Sequence, residues 1–289
     1  MPYSRLASPS ATIASLKRHG LYTRKSLGQH FLIDDNVIGR ILALSALVPG
    51  EIVLEIGPGI GTLTDALLSA GANVVAVEYD DRLLPALGEL QGGSSALTVV
   101  HADAVTVPVS DLMTPAGPPE ALIANLPYGV AATVILRLFE EMPPLRRAVV
   151  MVQAEVADRM AGAPGSKAYG AYSVKLGLLA RVADRFSVPP SCFLPPPRVD
   201  SAVVSLVRVD RGVPPEVARA AARAADAAFS QRRKTLRNSF AAGLGLSVSD
   251  ALPILEQAEV DASARAETLD VDAYLRLGAV LRQRSNVEF

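Results

Sequence analysis

From about residue 50 to residue 209, short runs of apolar, mostly β-branched residues alternate with stretches of helical spacing. Positions 52–56 predict a buried strand ended by a glycine-rich turn, and 62–69 a helix. A second strand is expected over 74–77, closing on Glu78, followed by a helix over 81–90 and a third strand over 97–100. Positions 122–124 and 148–152 supply two more strands, with an amphipathic helix over 133–140 between them. Continuous apolar runs mean strands covered on both faces, hence a mostly parallel sheet flanked by helices. The later segments 182–188 and 202–209 alternate more and are separated by the triple proline at 195–197, as expected of an antiparallel edge hairpin. Beyond 210–212 the chain turns alanine-rich and helical. Arg219, Arg223 and Asp226 share one helical face, and Leu252 with Leu255, then Tyr274, Leu277 and Leu281, announce two further helices. The expected organisation is a basic N-terminal segment (1–30), a Rossmann-like α/β domain (31–210) and a small all-α domain (211–289).

Composition narrows the class. Half of the 289 residues are hydrophobic and a fifth charged, so a sizeable core can form. The single cysteine, Cys192, excludes a disulfide scaffold and is expected to be structural; His19, His30 and His101 are too scattered for a metal cluster, and no metal is expected. The longest uncharged apolar stretch, 121–136, contains Asn125 and Pro127 and is too short to span a bilayer. With no signal-peptide pattern at the start, a cytoplasmic protein without membrane association is expected. The net charge of −1 conceals an uneven distribution. Residues 1–33 carry Arg5, Lys17, Arg18, Arg24 and Lys25 and no acid; residues 227–249 carry Arg232, Arg233, Lys234 and Arg237 and no acid. Two basic segments on an otherwise acidic chain point to a polyanionic partner or to two solvated surfaces. Phe229, Leu236 and Phe240 fall at helical spacing, which turns Lys234 outward with Arg232, Arg233 and Arg237 on the flanks.

Three features at the strand ends suggest chemistry. Gly57, Gly59 and Gly61 follow the first strand and open a helix, where glycines admit a ligand to the backbone amides. Glu78, 21 positions after Gly57, closes the second strand where a carboxylate meets ribose hydroxyls. The G-x-G-x-G spacing, with Thr62 at the position of a third dinucleotide-site glycine, tilts away from NAD. Asp103 follows the third strand, placed either to accept from an adenine amine or to cap the N-terminus of a helix. Asn125-Leu126-Pro127-Tyr128 follows the fourth strand directly.

With residues 24–32 (RKSLGQHFL), 193–201 (FLPPPRVDS) and 229–238 (FSQRRKTLRN), these motifs resemble the rRNA adenine N6,N6-dimethyltransferase family over nearly the whole chain, and most closely its bacterial small-subunit branch linked to kasugamycin sensitivity. The resemblance implies an S-adenosyl-L-methionine methyltransferase that dimethylates two adjacent adenosines in the 3′-terminal hairpin of small-subunit rRNA. Its partner would be the immature 30S subunit, and a monomer is expected. It places the cofactor against His30, Leu32, Gly57, Gly59, Glu78, Asp103 and Asn125, with His30 standing where the family usually has Asn. It gives Asn125, Leu126, Pro127 and Tyr128 to the target base, with Phe193 as a second aromatic, and Arg24, Lys25, Arg232, Arg233, Lys234 and Arg237 to RNA. Two alternatives remain: a large-subunit rRNA dimethylase of the antibiotic-resistance type, and a non-catalytic RNA-binding assembly factor on the same fold.

Overall fold

The structure, a computed structural model, describes residues 2–21 and 29–284. The chain forms two compact units, one of Met1–Ala157 with Val182–Arg208, the other of Asp158–Arg181 with Val209–Phe289.

The first unit is built on a seven-stranded sheet. Its strands are β2 (Ile52–Ile56), β3 (Asn73–Glu78), β4 (Leu97–His101), β5 (Ala121–Asn125), β6 (Arg147–Gln153), β7 (Ala180–Val188) and β9 (Ser201–Arg208), in the order β4-β3-β2-β5-β6-β9-β7. All neighbours from β4 to β6 are parallel, and β9 runs antiparallel to β6 with Val150 opposite Val204. The apolar runs of β2, β3, β5 and β6 are buried, as strands covered on both faces require. Helices α2 (Asp35–Ser45), α3 (Thr62–Ser69), α4 (Leu84–Gly92) and α5 (Ala131–Glu141) accompany them, and α6 (Ala154–Met160) follows β6. The expected helix over 81–90 is divided, a 3₁₀ turn over Asp81–Leu83 preceding α4, because Asp80 caps the turn by accepting from the Arg82 amide. From β2 the chain proceeds to β3 and β4 on one side and resumes with β5 and β6 on the other. The strand order therefore reverses at β2 and β5, whose carboxyl ends open a crevice there.

Two features tie distant sequence to that crevice. A short two-stranded sheet pairs β1 (Phe31–Leu32) antiparallel with β8 (Phe193–Leu194), so Leu32 lies opposite Phe193. The N-terminal helix α1 (Pro9–Arg18) starts at the Ser8 cap, and its flanks are anchored by ion pairs from Arg5 to buried Asp65 and from Arg18 to Glu89. Two of the N-terminal cations are therefore already paired within the protein.

The second unit is helical: α7 (Ala171–Leu179), α8 (Pro215–Ala228), α9 (Leu236–Leu244), α10 (Val248–Gln257) and α11 (Val271–Arg284). Residues 158–181 belong here, although their sequence reads as a continuation of the α/β region, because Tyr169 and Val174 bury themselves among Ala224, Phe240 and Tyr274. Helices α8 and α11 pack closely; a β-carbon at Gly278 would stand 2.6 Å from the Val217 carbonyl. The basic segment departs from the expected helix. A 3₁₀ turn spans Phe229–Gln231 and α9 begins only at Leu236, so Arg232, Arg233 and Lys234 sit in an exposed turn. The break is fixed by the Leu236 and Arg237 amides, which donate to the carbonyls of Ala264 and Ala262.

Candidate active site

A cavity of about 530 Å³ opens in the first unit at the carboxyl ends of β2, β3, β4 and β5. Most residues that the sequence singled out line it: His30, Leu32, Gly57, Gly59, Glu78, Asp103 and the whole of Asn125-Leu126-Pro127-Tyr128. Phe193 does not. It is 2% exposed, packed with Leu32, Ile38 and Val188 in the core under the β1–β8 pair. The second aromatic that the resemblance implies is thus absent from the cavity wall at this position. Arg24 and Lys25 lie outside the described residues. Arg232, Arg233, Lys234 and Arg237 are exposed residues of the second unit.

The glycine turn is shaped by close approach. Gly57 and Gly59 hold φ of +68° and +63°, a region that side chains with a β-carbon enter at a cost. A β-carbon at Gly59 would stand 3.1 Å from the Phe31 ring. Beyond the turn, Gly61 stands at the N-cap of α3 and offers no side-chain cap, which leaves amide donors at the helix start. The Thr62 hydroxyl, at the first position of α3 and on the cavity wall, is buried without a hydrogen-bond partner. An orphaned buried hydroxyl on the cavity wall suits a polar ligand.

Glu78 is buried and fully ordered by the backbone. Its Oε1 accepts from the Tyr79 and Asp80 amides at 2.9 and 2.8 Å, and its Oε2 from the Gly59 amide at 3.2 Å. Burial pushes its carboxyl above the ordinary range, while these three amides pull in the opposite direction. Asp103 Oδ1 accepts from the Val105 amide at 2.8 Å and closes a turn. No helix begins there, so the expected helix cap is not formed.

Asn125 is oriented by a single bond. Its Nδ2 donates to the His30 carbonyl at 3.3 Å, which leaves Oδ1 as the acceptor on the cavity side. The Leu126 amide donates to the Met151 carbonyl at 3.1 Å, and the Pro127 carbonyl accepts from Val130 and Ala131 at the start of α5. The turn is therefore pinned to the sheet on one side and to a helix on the other. The Tyr128 hydroxyl shares a 2.6 Å hydrogen bond with Ser201, and burial raises the phenol above its ordinary value.

Sequence reasoning overlooked several neighbours. Glu55, 1% exposed in the middle of β2, accepts from Thr64 Oγ1 at 2.6 Å, and burial pushes its carboxyl up to about 8. A lone acid inside an apolar strand was the available signal. Asp80 receives Gln29 Nε2 at 2.7 Å and Arg82 Nε at 2.8 Å, and the guanidinium holds it below the usual carboxylate range. This clamp ties the segment before β1 to the loop after β3. Tyr79, 63% exposed, stands at the cavity rim.

A family model described as ribosomal RNA adenine dimethylase matches residues 20–277, which include every motif of the cavity. The chain belongs to the ribosomal RNA adenine dimethylase family. Among its relatives, a protein named ribosomal RNA small subunit methyltransferase A from Magnetococcus marinus is 44% identical over 91% of this chain and 93% of its own. One of the same name from Nocardia farcinica is 45% identical over 95% of each. The crystal structure of a dimethyladenosine transferase from Plasmodium falciparum superposes with a TM-score of 0.70 at 25% identity, covering 86% of this chain and 96% of that one. The 23S rRNA methyltransferase ErmE gives 0.64 at 27% identity, covering 88% and 100%. As a member of the dimethylase family, this chain is a methyltransferase, and the small-subunit relatives are markedly more similar to it in sequence than ErmE. Among the described residues, no helix is long and apolar enough to cross a membrane.

Proposed function

We propose that this chain transfers methyl groups from S-adenosylmethionine to N6 of two adjacent adenosines in the 3′-terminal hairpin of small-subunit rRNA. The observation that carries the reading is the state of Asn125: with Nδ2 engaged by the His30 carbonyl, only Oδ1 is left to meet an amino group entering the cavity.

The cavity suits the donor. Glu78, ordered by three amides, would take the ribose hydroxyls, and Asp103 Oδ2 the adenine amine. The glycine turn at 57–61, on the cavity wall, and the unpartnered Thr62 hydroxyl would receive the amino-acid end. These carboxylates also favour a cationic sulfonium over a ligand carrying phosphates. The donor supplies an electrophilic methyl carbon.

The remaining work falls to the protein. The amine of adenine is a poor nucleophile because its lone pair is delocalised into the ring. Hydrogen bonds from that amine to Asn125 Oδ1 and the Leu126 carbonyl favour a pyramidal nitrogen and aim it at the methyl group. Pro127, with fixed φ and no N–H, stiffens the turn presenting both acceptors. As the N–C bond forms, the C–S bond breaks onto sulfur, and N6 gives up a proton to water. Alignment in such a site accounts for much of the acceleration. Tyr128 stacks on the flipped base, a contact worth about 1–3 kcal/mol.

RNA docking is assigned to the second unit, through Arg232, Arg233, Lys234 and Arg237 in the exposed turn and at the start of α9. Structured RNA is recognised largely by shape and phosphate position, which a cationic turn can meet. Incubation with labelled S-adenosylmethionine and immature small subunits, followed by mapping of modified adenosines, tests the proposal. Label at any other adenosine, or none, would contradict it.

A further inference from the structure

We propose that His30 is a positioning residue for the target base, acting through Tyr128. The inference rests on the adenine-methylation reading. The resemblance gives His30 to the cofactor; its ring in addition meets Tyr128.

The His30 imidazole stacks on the Tyr128 ring, with centroids 5.7 Å apart and planes inclined by 26°. That separation lies within the range of favourable aromatic pairs. The imidazole does not slide on this surface, because Nδ1–H donates to the Pro195 carbonyl at 2.7 Å. A carbonyl can only accept, so in the neutral ring the proton resides on Nδ1 and the Nε2 lone pair is free. The backbone of the same residue receives Asn125 Nδ2. One residue thus supports both ends of the Asn125–Tyr128 turn, the amide through its carbonyl and the phenol through its ring.

Tyr128 is therefore fixed twice over, at its hydroxyl by Ser201 and on one face by His30. Its other face is the one left for a base. Gly129, the next residue, agrees with this. A β-carbon there meets nothing within 4 Å, and the residue needs no left-handed φ, so neither packing nor backbone conformation calls for glycine. The chain beside Tyr128 is thus open to solvent. Phe193, buried between the short sheet and the core, has no comparable access.

The test compares the full-length wild type with His30→Ala, His30→Asn and His30→Phe. RNA carrying 2-aminopurine at the target position reports stacking by quenching, with S-adenosylhomocysteine bound; the chain has no tryptophan to interfere. Cofactor affinity is measured separately without RNA, and thermal unfolding checks the fold. Removing the ring in the Ala and Asn variants is expected to lose the quench and raise KM for RNA by about three- to ten-fold, the scale of one aromatic pair. Cofactor Kd should stay within about two-fold of wild type, and Phe should restore the quench. A folded Ala or Asn variant that quenches normally would overturn the inference whatever its cofactor affinity, as would a folded Phe variant without the quench. A wild type that neither quenches nor methylates would instead defeat the underlying reading, and this inference with it.

Discussion

The α-carbon of Gly57 lies so close to the Pro127 ring that a β-carbon there would stand 3.1 Å from both Cδ and Cγ. The turn after β2 and the turn after β5 are thereby keyed to each other, and the hydrogen bond from the Gly57 amide to the Val77 carbonyl adds β3 to the same joint. Whatever sits on the glycine turn is held at a fixed distance from whatever sits on Asn125. For a bimolecular transfer this registration matters more than any single contact.

Gly57→Ala should therefore damage both functions of the joint. The left-handed φ of +68° costs an alanine about 1–2 kcal/mol, before any displacement of Pro127. A lowered melting temperature, weaker cofactor binding and slower single-turnover transfer are expected together. An unchanged transfer rate at saturating cofactor would show that the two turns are not coupled.

Glu78→Ala removes a carboxylate that already has three backbone donors, so the loss is felt through the ligand and through those amides. Hydrogen bonds to a charged group contribute about 1.5–3 kcal/mol each. S-adenosylmethionine should bind about ten- to a hundred-fold more weakly. Calorimetry showing normal affinity would remove Glu78 from the site.

Glu55 gives a pH signature. Its carboxyl titrates near 8 in the fold, against about 4.3 in an unfolded chain. Between those values the folded state holds the extra proton, so stability falls as pH rises through that window. Below about pH 4 the contribution is the same for both states, and above about 8 the full cost of a buried charge is present. Glu55→Gln keeps an acceptor for Thr64 and cannot ionise. Its melting temperature should exceed that of wild type increasingly from pH 5 to pH 9. Parallel curves for the two proteins would place the proton elsewhere.

The exposed cations of the second unit should affect RNA binding alone. Each phosphate contact adds about 0.7–0.9 to the slope of log affinity against log salt. Replacing Lys234 and Arg237 together by Gln should flatten that slope by roughly 1.5, with cofactor affinity unchanged. If the folded double variant keeps the wild-type slope, docking does not run through this turn.

What could be read from the sequence follows from the range of the interactions involved. The strands 52–56, 74–77 and 148–152 declared themselves because their burial is a local, continuous pattern. Gly57, Glu78 and Asn125 were legible because each sits immediately at a strand end, where topology alone brings them together. The β1–β8 pair was not legible: two residues at 31–32 meet two at 193–194, and nothing local marks either as a strand. Phe193 was given to the base by the resemblance alone, while its location depends on that pairing. The cationic segment shows the converse error. Phe229, Leu236 and Phe240 do turn toward one core, but the loop at 262–264 claims the amides of Leu236 and Arg237 and interrupts the helix. Helical spacing cannot register a partner 25 residues away. The stacking of His30 on Tyr128 lay equally beyond reach, since it joins positions 98 apart.

The most direct test of the account is single-turnover methylation of immature small subunits by wild type and by Asn125→Ala at saturating S-adenosylmethionine, read by mapping modified adenosines in the rRNA. The account requires wild type to modify two adjacent adenosines in the 3′-terminal hairpin. It requires Asn125→Ala to lose most of its rate while cofactor affinity falls only modestly, because the missing acceptor acts on the transition state. Modification at any other site, or a near-normal rate in the Asn125→Ala protein, would contradict it.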